Sequence, residues 1–243
     1  MLSIICPYND KKILKNALEN SIQRQIDTEY ELLTIDANEH GFTSAAETLN
    51  YIGKNANGDF LIFIHQDVIF EANNILKQVD TFCRKNKFGI AGVAGCKKIN
   101  GKSKTITQIH QGMDHKNISS LKKYNNPIEV DSLDECMLII PKQIFNKYKF
   151  SDIGRTWHLY GTDYSLNMLQ HNYKVLLLPI DIWHLSDGAS LNENYFDAMI
   201  KLAKIYRNDV SEIVTIYGIW PTKMIKLYCK CLYRKIRLRI RGH

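Results

Sequence analysis

Three short runs near the start of the chain, "LSIICP", "YELLTIDA" and "DFLIFIHQD", are almost continuously apolar, and the segments between them are not. Such runs suit strands covered on both faces, because a strand with one wet face would alternate apolar and polar residues. The first intervening segment, "KKILKNALENSIQRQ", places Ile13, Leu14, Ala17, Leu18 and Ile22 on one side at helical spacing. The second, "TSAAETLNYIGKNAN", offers Thr43 or Ser44 as N-cap and Glu47 as a capping-box partner, and Gly58 stops it. Strand, helix, strand, helix, strand is the pattern of an α/β protein with a parallel sheet and helices on both faces. Ligands bind such sheets beyond the carboxyl ends of the strands. Pro7 to Asp10, Asp36 to Asn38 and His65 to Asp67 close the three runs, so they are expected to meet in one crevice.

The second half is less regular. "FGIAGVAGCK" and "ECMLIIPKQIF" read as strands, "YGTDYSLNMLQHN" as a helix and "YKVLLLPIDIWHL" as a strand ending near His184. Residues 192 to 207 resume a helical period with Tyr195, Phe196, Met199, Leu202, Ala203 and Tyr206 facing inward. One domain over residues 1–210 is expected, followed by a tail over 211–243.

The tail holds the chain's basicity. Lys223, Lys226, Lys230, Arg234, Lys235, Arg237, Arg239 and Arg241 lie in it, and removing these eight charges from the net +7 leaves about −1 for the rest. A nucleic-acid-binding domain is not expected from such a distribution. The six cysteines lack paired zinc-type spacing, and Cys6 and Cys136 lie in apolar runs, which favours reduced thiols inside the cell. No run reaches the ~18 apolar residues of a spanning helix, and the N-terminus lacks the basic start of a signal peptide.

A carboxylate and a neutral imidazole at a sheet edge suit a divalent cation bound to phosphate oxygens. His65 and Asp67 are two residues apart, so on an extended backbone their side chains leave one face while Gln66 points away. The alternative is a strand end whose polar residues simply meet solvent.

The segments "SIICPYND" and "LLTIDANEHGFTSAAETLNYIGKNANGDFLIFIHQDV" resemble the nucleotide-binding half of glycosyltransferase family 2, which has the GT-A fold. Here His65-Gln66-Asp67 stands for the family's Asp-x-Asp motif, similar to a bacterial branch that writes it His-Gln-Asp. The resemblance continues in "VDSLDECMLIIPK", "TWHLYGTDYSLNMLQHNYKVLLLP" and "IWHLSDGAS", over roughly residues 2 to 190. It implies a Rossmann-like, mainly parallel sheet with helices on both faces, a nucleotide-binding half over 1–98 and an acceptor-binding half over 99–210. It further implies that Pro7, Tyr8, Asn9 and Asp36 line a pocket for a UDP- or dTDP-type sugar donor. Asp67 with His65 would hold Mn²⁺ or Mg²⁺, and His184 would approach that ion from the last strand; a hydrogen-bonded histidine at a strand end is the alternative. The transfer is expected to invert the sugar and to build a bacterial surface glycan or a lipid-linked oligosaccharide.

Inverting transfer needs a carboxylate base for the acceptor hydroxyl. Asp163 in "LYGTDYSL" is the leading candidate, although Gly161 falls where relatives carry the base; Asp134 or Glu135 in "DSLDE" is the alternative, and Asp163 would then cap the helix. Trp157 and His158 suit a sugar-binding wall, with core packing the competing reading for Trp157. His110 and His115 receive no role. The tail, with Met224, Ile225, Leu227, Tyr228, Cys231, Leu232, Ile236 and Ile240 among its basic residues, suits a helix on an anionic membrane surface, a partner-binding helix and a nucleic-acid patch being the alternatives. The expected location is therefore cytoplasmic and peripheral on the inner membrane face. Two rivals remain: a non-catalytic sugar-nucleotide-binding subunit, which Gly161 favours, and a sugar nucleotidyltransferase, against which "CPYNDKK" supplies no glycine.

Overall fold

Residues alternate sides along an extended strand, so a strand apolar at every position must feed two cores. In the computed structural model, which describes residues 1–119, 123–188 and 191–240, the first and third runs do this. Strand β1 is Leu2–Tyr8, β2 is Tyr30–Asp36 and β3 is Phe60–Ile64. Ile4, Cys6, Ile62 and Ile64 enter one core, and Ile5, Leu61 and Phe63 enter the other. Between β1 and β2, α1 (Lys11–Leu14) continues through a π-helical turn at Lys15–Glu19 into α2 (Asn20–Ile22). Leu14, Ala17, Leu18 and Ile22 are buried as expected, whereas Ile13 is exposed. Helix α3 (Ala45–Gly53) is capped by Ser44, whose Oγ accepts from the Glu47 N–H at 3.2 Å.

Beyond β3 come β4 (Val68–Ile69), α4 (Ile75–Lys85), β5 (Ile90–Gly92), β6 (Ala94–Ile99), β7 (Lys102–Thr107), β8 (His110–Gln111), β9 (Lys116–Asn117), β10 (Ile128–Glu129), β11 (Ser132–Leu133) and β12 (Met137–Pro141). The run expected to be a strand through Phe145 ends at Pro141, and Lys142–Lys147 form helix α5. Then follow α6 (Tyr160–Gln170), β13 (Val175–Leu177) and β14 (Trp183–His184). The single strand expected over "YKVLLLPIDIWHL" is thus two strands in different sheets, parted where Pro179 cannot donate to a ladder.

The central sheet has seven strands in the order β10-β13-β5-β12-β3-β1-β2. Strands β2, β1, β3, β5 and β13 point the same way, while β12 runs antiparallel between β3 and β5 and β10 runs antiparallel at the edge, so the sheet is mainly parallel, as expected, with two reversed strands. The small sheet β4-β14-β8-β9 holds His184 beside the end of β3. Here β14 is antiparallel to β4, with His184 opposite Val68.

Residues beyond 210 pack against the elements before them. Helix α7 (Glu193–Tyr206), the hairpin of β15 (Glu212–Thr215) and β16 (Gly218–Pro221), and helix α8 (Met224–Ile240) share one core that includes Phe196, Leu202, Trp220, Leu227 and Cys231. The hairpin also docks on the main body, where Ser132 Oγ donates to the Val214 carbonyl at 2.6 Å. Lys235 and Arg239 pair with Asp197 and Glu193 across α7 and α8. Arg241 of the basic tail and Ala189 and Ser190 of the "IWHLSDGAS" segment lie outside the described residues.

Ser3 fixes the register from which the site is built. Its fully buried Oγ donates to Glu31 Oε1 at 2.6 Å and accepts from the Gly58 N–H at 2.7 Å, tying β1 to β2 and to the turn entering β3. Ser3→Ala leaves the buried Gly58 N–H without its acceptor, so unfolding in urea is expected to require about 1–3 kcal/mol less free energy than in the parent chain.

Candidate active site

The three strand ends meet. Pro7, Tyr8 and Asn9 from β1, Ala37 and Asn38 beyond β2, and His65 and Asp67 beyond β3 line a cavity of about 370 Å³, closed on the far side by Phe42, Leu49, Trp157 and Tyr160. Asp36 stands just outside this lining, where its Oδ1 accepts from the Asn38 N–H at 2.9 Å and so shapes the turn that places Ala37 and Asn38. Gln66 locks two of these ends together. Its Oε1 accepts from the Asn9 and Asp10 N–H groups at 3.1 and 3.0 Å, and its Nε2 donates to Asn9 Oδ1 at 2.6 Å.

His65, Asp67 and His184 bring one ligating atom each to within 4.8 Å of one another. His184 Nε2 lies 3.2 Å from Asp67 Oδ1, and the two imidazole rings are 5.6 Å apart. His184 Nε2 is buried and makes no aligned hydrogen bond, although it faces Asp67 Oδ1; burial opposes a charged ring there, but Cys136 and Asp67 push its pKa up to about 11. The donor set of two imidazoles and a carboxylate fits a divalent cation and suits a transition-metal dication better than Mg²⁺. Burial opposes ionisation of Asp67, yet His184 and His65 hold its carboxyl below the ordinary value. Burial, and then the neighbouring His184, hold the pKa of His65 below that of an ordinary histidine and keep it a neutral ligand. His65 Nε2 sits 3.2 Å from the Tyr160 hydroxyl, which itself reaches the Glu135 carbonyl at 3.4 Å. With Tyr160 donating to that carbonyl, His65 donates from Nε2 and its Nδ1 carries the free lone pair.

A second cavity, of about 430 Å³, opens on the other side of this trio. His65, Asp67 and Trp157 line both cavities, while Asp134, Glu135 and His158 line only the second. Trp157 is 44% exposed, so core packing is not its role. His158 is held by Asn192 at 3.3 Å.

The expected base, Asp163, is not at either cavity. It is 2% exposed, and its Oδ1 accepts from the Tyr206 hydroxyl at 2.9 Å in the core between α6 and α7. The reason is helical phase: two residues advance a helix by ~200°, so Gly161 packs toward Glu135 while Asp163 points to the other side of α6, toward Tyr206. Burial raises the pKa of Asp163, as befits a carboxyl that serves packing. Glu135 takes the place near Gly161. Its Oε1 accepts from the Gly161 N–H at 3.3 Å, and a Cβ on Gly161 would lie 3.5 Å from Glu135 Cγ and 3.1 Å from the Leu133 carbonyl. Burial, then the adjacent Asp134, push the Glu135 pKa well above the ordinary carboxylate value.

Sequence reasoning missed Gln66 and Tyr160. The polar Gln66 between two ligand-type residues was a signal, since its side chain had to find partners on the opposite face; Tyr160 carried none, because an aromatic at the start of a helix is equally a core residue.

Comparison with known proteins follows the same lines. The family model described as "Glycosyltransferase like family" matches residues 3–206. No curated protein matches the chain by sequence. Among solved structures, S. aureus TarS in complex with UDP-GlcNAc superposes with TM-score 0.57 at 16% identity, covering 86% of this chain and 67% of that one. GalNAc-T7 with UDP, GalNAc and Mn²⁺ gives 0.56 at 12% identity, covering 85% and 48%. The mannosyltransferase PcManGT from Pyrobaculum calidifontis, with GDP-Man and Mn²⁺, gives 0.58 at 9% identity, covering 95% and 68%. The chain thus spans between about half and two thirds of these structures, and what it shares with them is the GT-A fold. With the family model covering most of its length, the chain belongs to the glycosyltransferase-like family.

Proposed function

We propose that this chain is a cation-dependent glycosyltransferase that moves a sugar, with inversion, from a UDP- or dTDP-type donor to a hydroxyl of a surface glycan or lipid-linked oligosaccharide. The observation that carries the reading is the pair of cavities joined at His65 and Asp67. The cavity at the β1, β2 and β3 ends takes the nucleotide, with the Gln66-braced Asn9 loop against it. The second cavity takes the acceptor, with Trp157 as an apolar wall for sugar rings. Asp67, His65 and His184 would hold Mn²⁺, which would supply Lewis-acid stabilisation of the charge that grows on the leaving diphosphate. Mn²⁺ is favoured over Mg²⁺ because two of the three ligands are imidazoles.

Glu135 replaces Asp163 as the base in this reading. It lies in the acceptor cavity, and the rise in its pKa caused by burial makes its ionised form a stronger proton acceptor. The bond that forms joins the acceptor oxygen to the anomeric carbon as the bond to the diphosphate oxygen breaks. The hydroxyl proton passes to Glu135.

Tail helix α8 supports membrane attachment, because Ile225, Leu232, Tyr233, Ile236 and Ile240 remain exposed among its lysines and arginines while Leu227 and Cys231 anchor the helix to the body. Among the described residues no helix is long and apolar enough to cross a membrane.

Three measurements test these statements. A screen of nucleotide sugars with Mn²⁺ identifies the donor by product formation. In that assay Glu135→Gln is expected to lower kcat by roughly 10²–10⁴-fold with Mn²⁺-dependent donor binding retained, whereas Asp163→Asn loses thermal stability and keeps most of its kcat; the reverse pattern returns the base to Asp163. Asp67→Ala is expected to abolish the Mn²⁺-dependent part of donor binding by calorimetry. For the membrane, combined Ile225→Glu, Leu232→Glu and Ile236→Glu substitutions are expected to prevent co-sedimentation with phosphatidylglycerol-rich vesicles; unchanged sedimentation assigns the face to something else.

A further inference from the structure

We propose that Glu71, His110 and His115 form a second cation site, separate from the Asp67 centre, and that it takes Zn²⁺. The three residues come from three places around strand β14: Glu71 lies two residues past β4, His110 is in β8, and His115 closes the turn before β9. Their ligating atoms all lie within 4.8 Å of one another. Each oxygen of the Glu71 carboxylate faces a different imidazole, Oε1 at 2.9 Å from His115 Nε2 and Oε2 at 3.6 Å from His110 Nδ1.

Two further observations point to a ligand. His110 Nδ1 is buried and has no hydrogen-bond partner, so the second imidazole presents an unsatisfied nitrogen to the same point. The turn is also shaped to bring the rings together. His115 adopts φ +52°, a left-handed conformation uncommon for a residue with a side chain, after Gly112 at φ +73°. The His115 N–H donates to the Gly112 carbonyl at 3.1 Å, which folds His115 back until its ring stacks on His110 at 4.2 Å. Trp183 braces the turn, with its Nε1–H donating to the Gly112 carbonyl at 2.9 Å and its ring 5.1 Å from His115.

Two nitrogens and one carboxylate oxygen, with a position open to the groove that Asp181 and Lys123 border, match the borderline cation Zn²⁺ rather than Ca²⁺ or Mg²⁺. The ion would pin β4 and the β8–β9 hairpin around β14. Since β14 also carries His184, Zn²⁺ would steady one wall of the Asp67 centre from the far side.

Binding of Zn²⁺ alone to the chelator-stripped full-length chain tests this without any activity assay. Asp67→Ala disables the first centre, so this variant is expected to bind a single Zn²⁺ in calorimetry and to melt at a higher temperature with the ion than without it. Adding His115→Gln or Glu71→Gln is expected to remove both effects. No Zn²⁺ binding in Asp67→Ala, or unchanged affinity in Asp67→Ala/His115→Gln, overturns the proposal. Should Asp67→Ala not fold, the same comparison is made in the parent chain, where His115→Gln, at an exposed turn, is expected to lower the Zn²⁺ stoichiometry by one and an unchanged stoichiometry overturns it.

Discussion

Burial of β1 and β3 on both faces is the constraint on which the rest of this molecule depends. Ile4, Cys6, Ile62 and Ile64 on one side, and Ile5, Leu61 and Phe63 on the other, leave no freedom to shift register by one residue, because a slip would exchange the contents of two cores. The polar residues that end these strands are therefore fixed in place relative to one another. Gln66 completes the arrangement by bonding across from the end of β3 to the loop after β1. A cleft built on such rigid ends can present His65 and Asp67 with little conformational freedom, which is what a preorganised binding site requires.

The small sheet supplies the part of the site that the parallel half cannot. His184 arrives on β14, antiparallel to β4, and meets Asp67 from the far side of the strand end. Around this one strand lie two clusters of ligand-type side chains, His65, Asp67 and His184 toward the cleft and Glu71, His110 and His115 toward the outside. The strand is two residues long and is held between β4 and β8, so both clusters sit on paired backbone.

The second cavity shows which carboxylate the tertiary structure brings to the cleft. Gly161 opens room at the first turn of α6, and the Glu135 side chain, coming from the turn between β11 and β12, bonds to the Gly161 backbone there. Asp163 serves the packing of α6 on α7 through Tyr206. The C-terminal helix likewise has two uses, with one face completing the core around Trp220 and the other left exposed.

Much was legible in the residues alone. Apolar continuity in the first three strands, the Ser44 cap and the inward face of α7 follow from local spacing, and the ends at Pro7, Asn38 and His65 to Asp67 meet because parallel strands in a covered sheet must end together. Whatever depended on partners distant in sequence was not legible. The antiparallel insertion of β12, the helix that replaces the end of its apolar run, and the docking of residues 211–240 on the body are decided by which surfaces meet. The same holds for the orientation of Asp163, since the side that it faces is set by the phase of α6 against the sheet. The sequence by itself determined an α/β sheet with a polar edge at the ends of β1, β2 and β3, because strand periodicity and apolar burial are local properties. Only the tertiary structure decided that His184 joins Asp67, that Glu135 rather than Asp163 reaches the cleft, and that Glu71 meets two histidines some forty residues away, because those distances are set by chain crossings that no local pattern records.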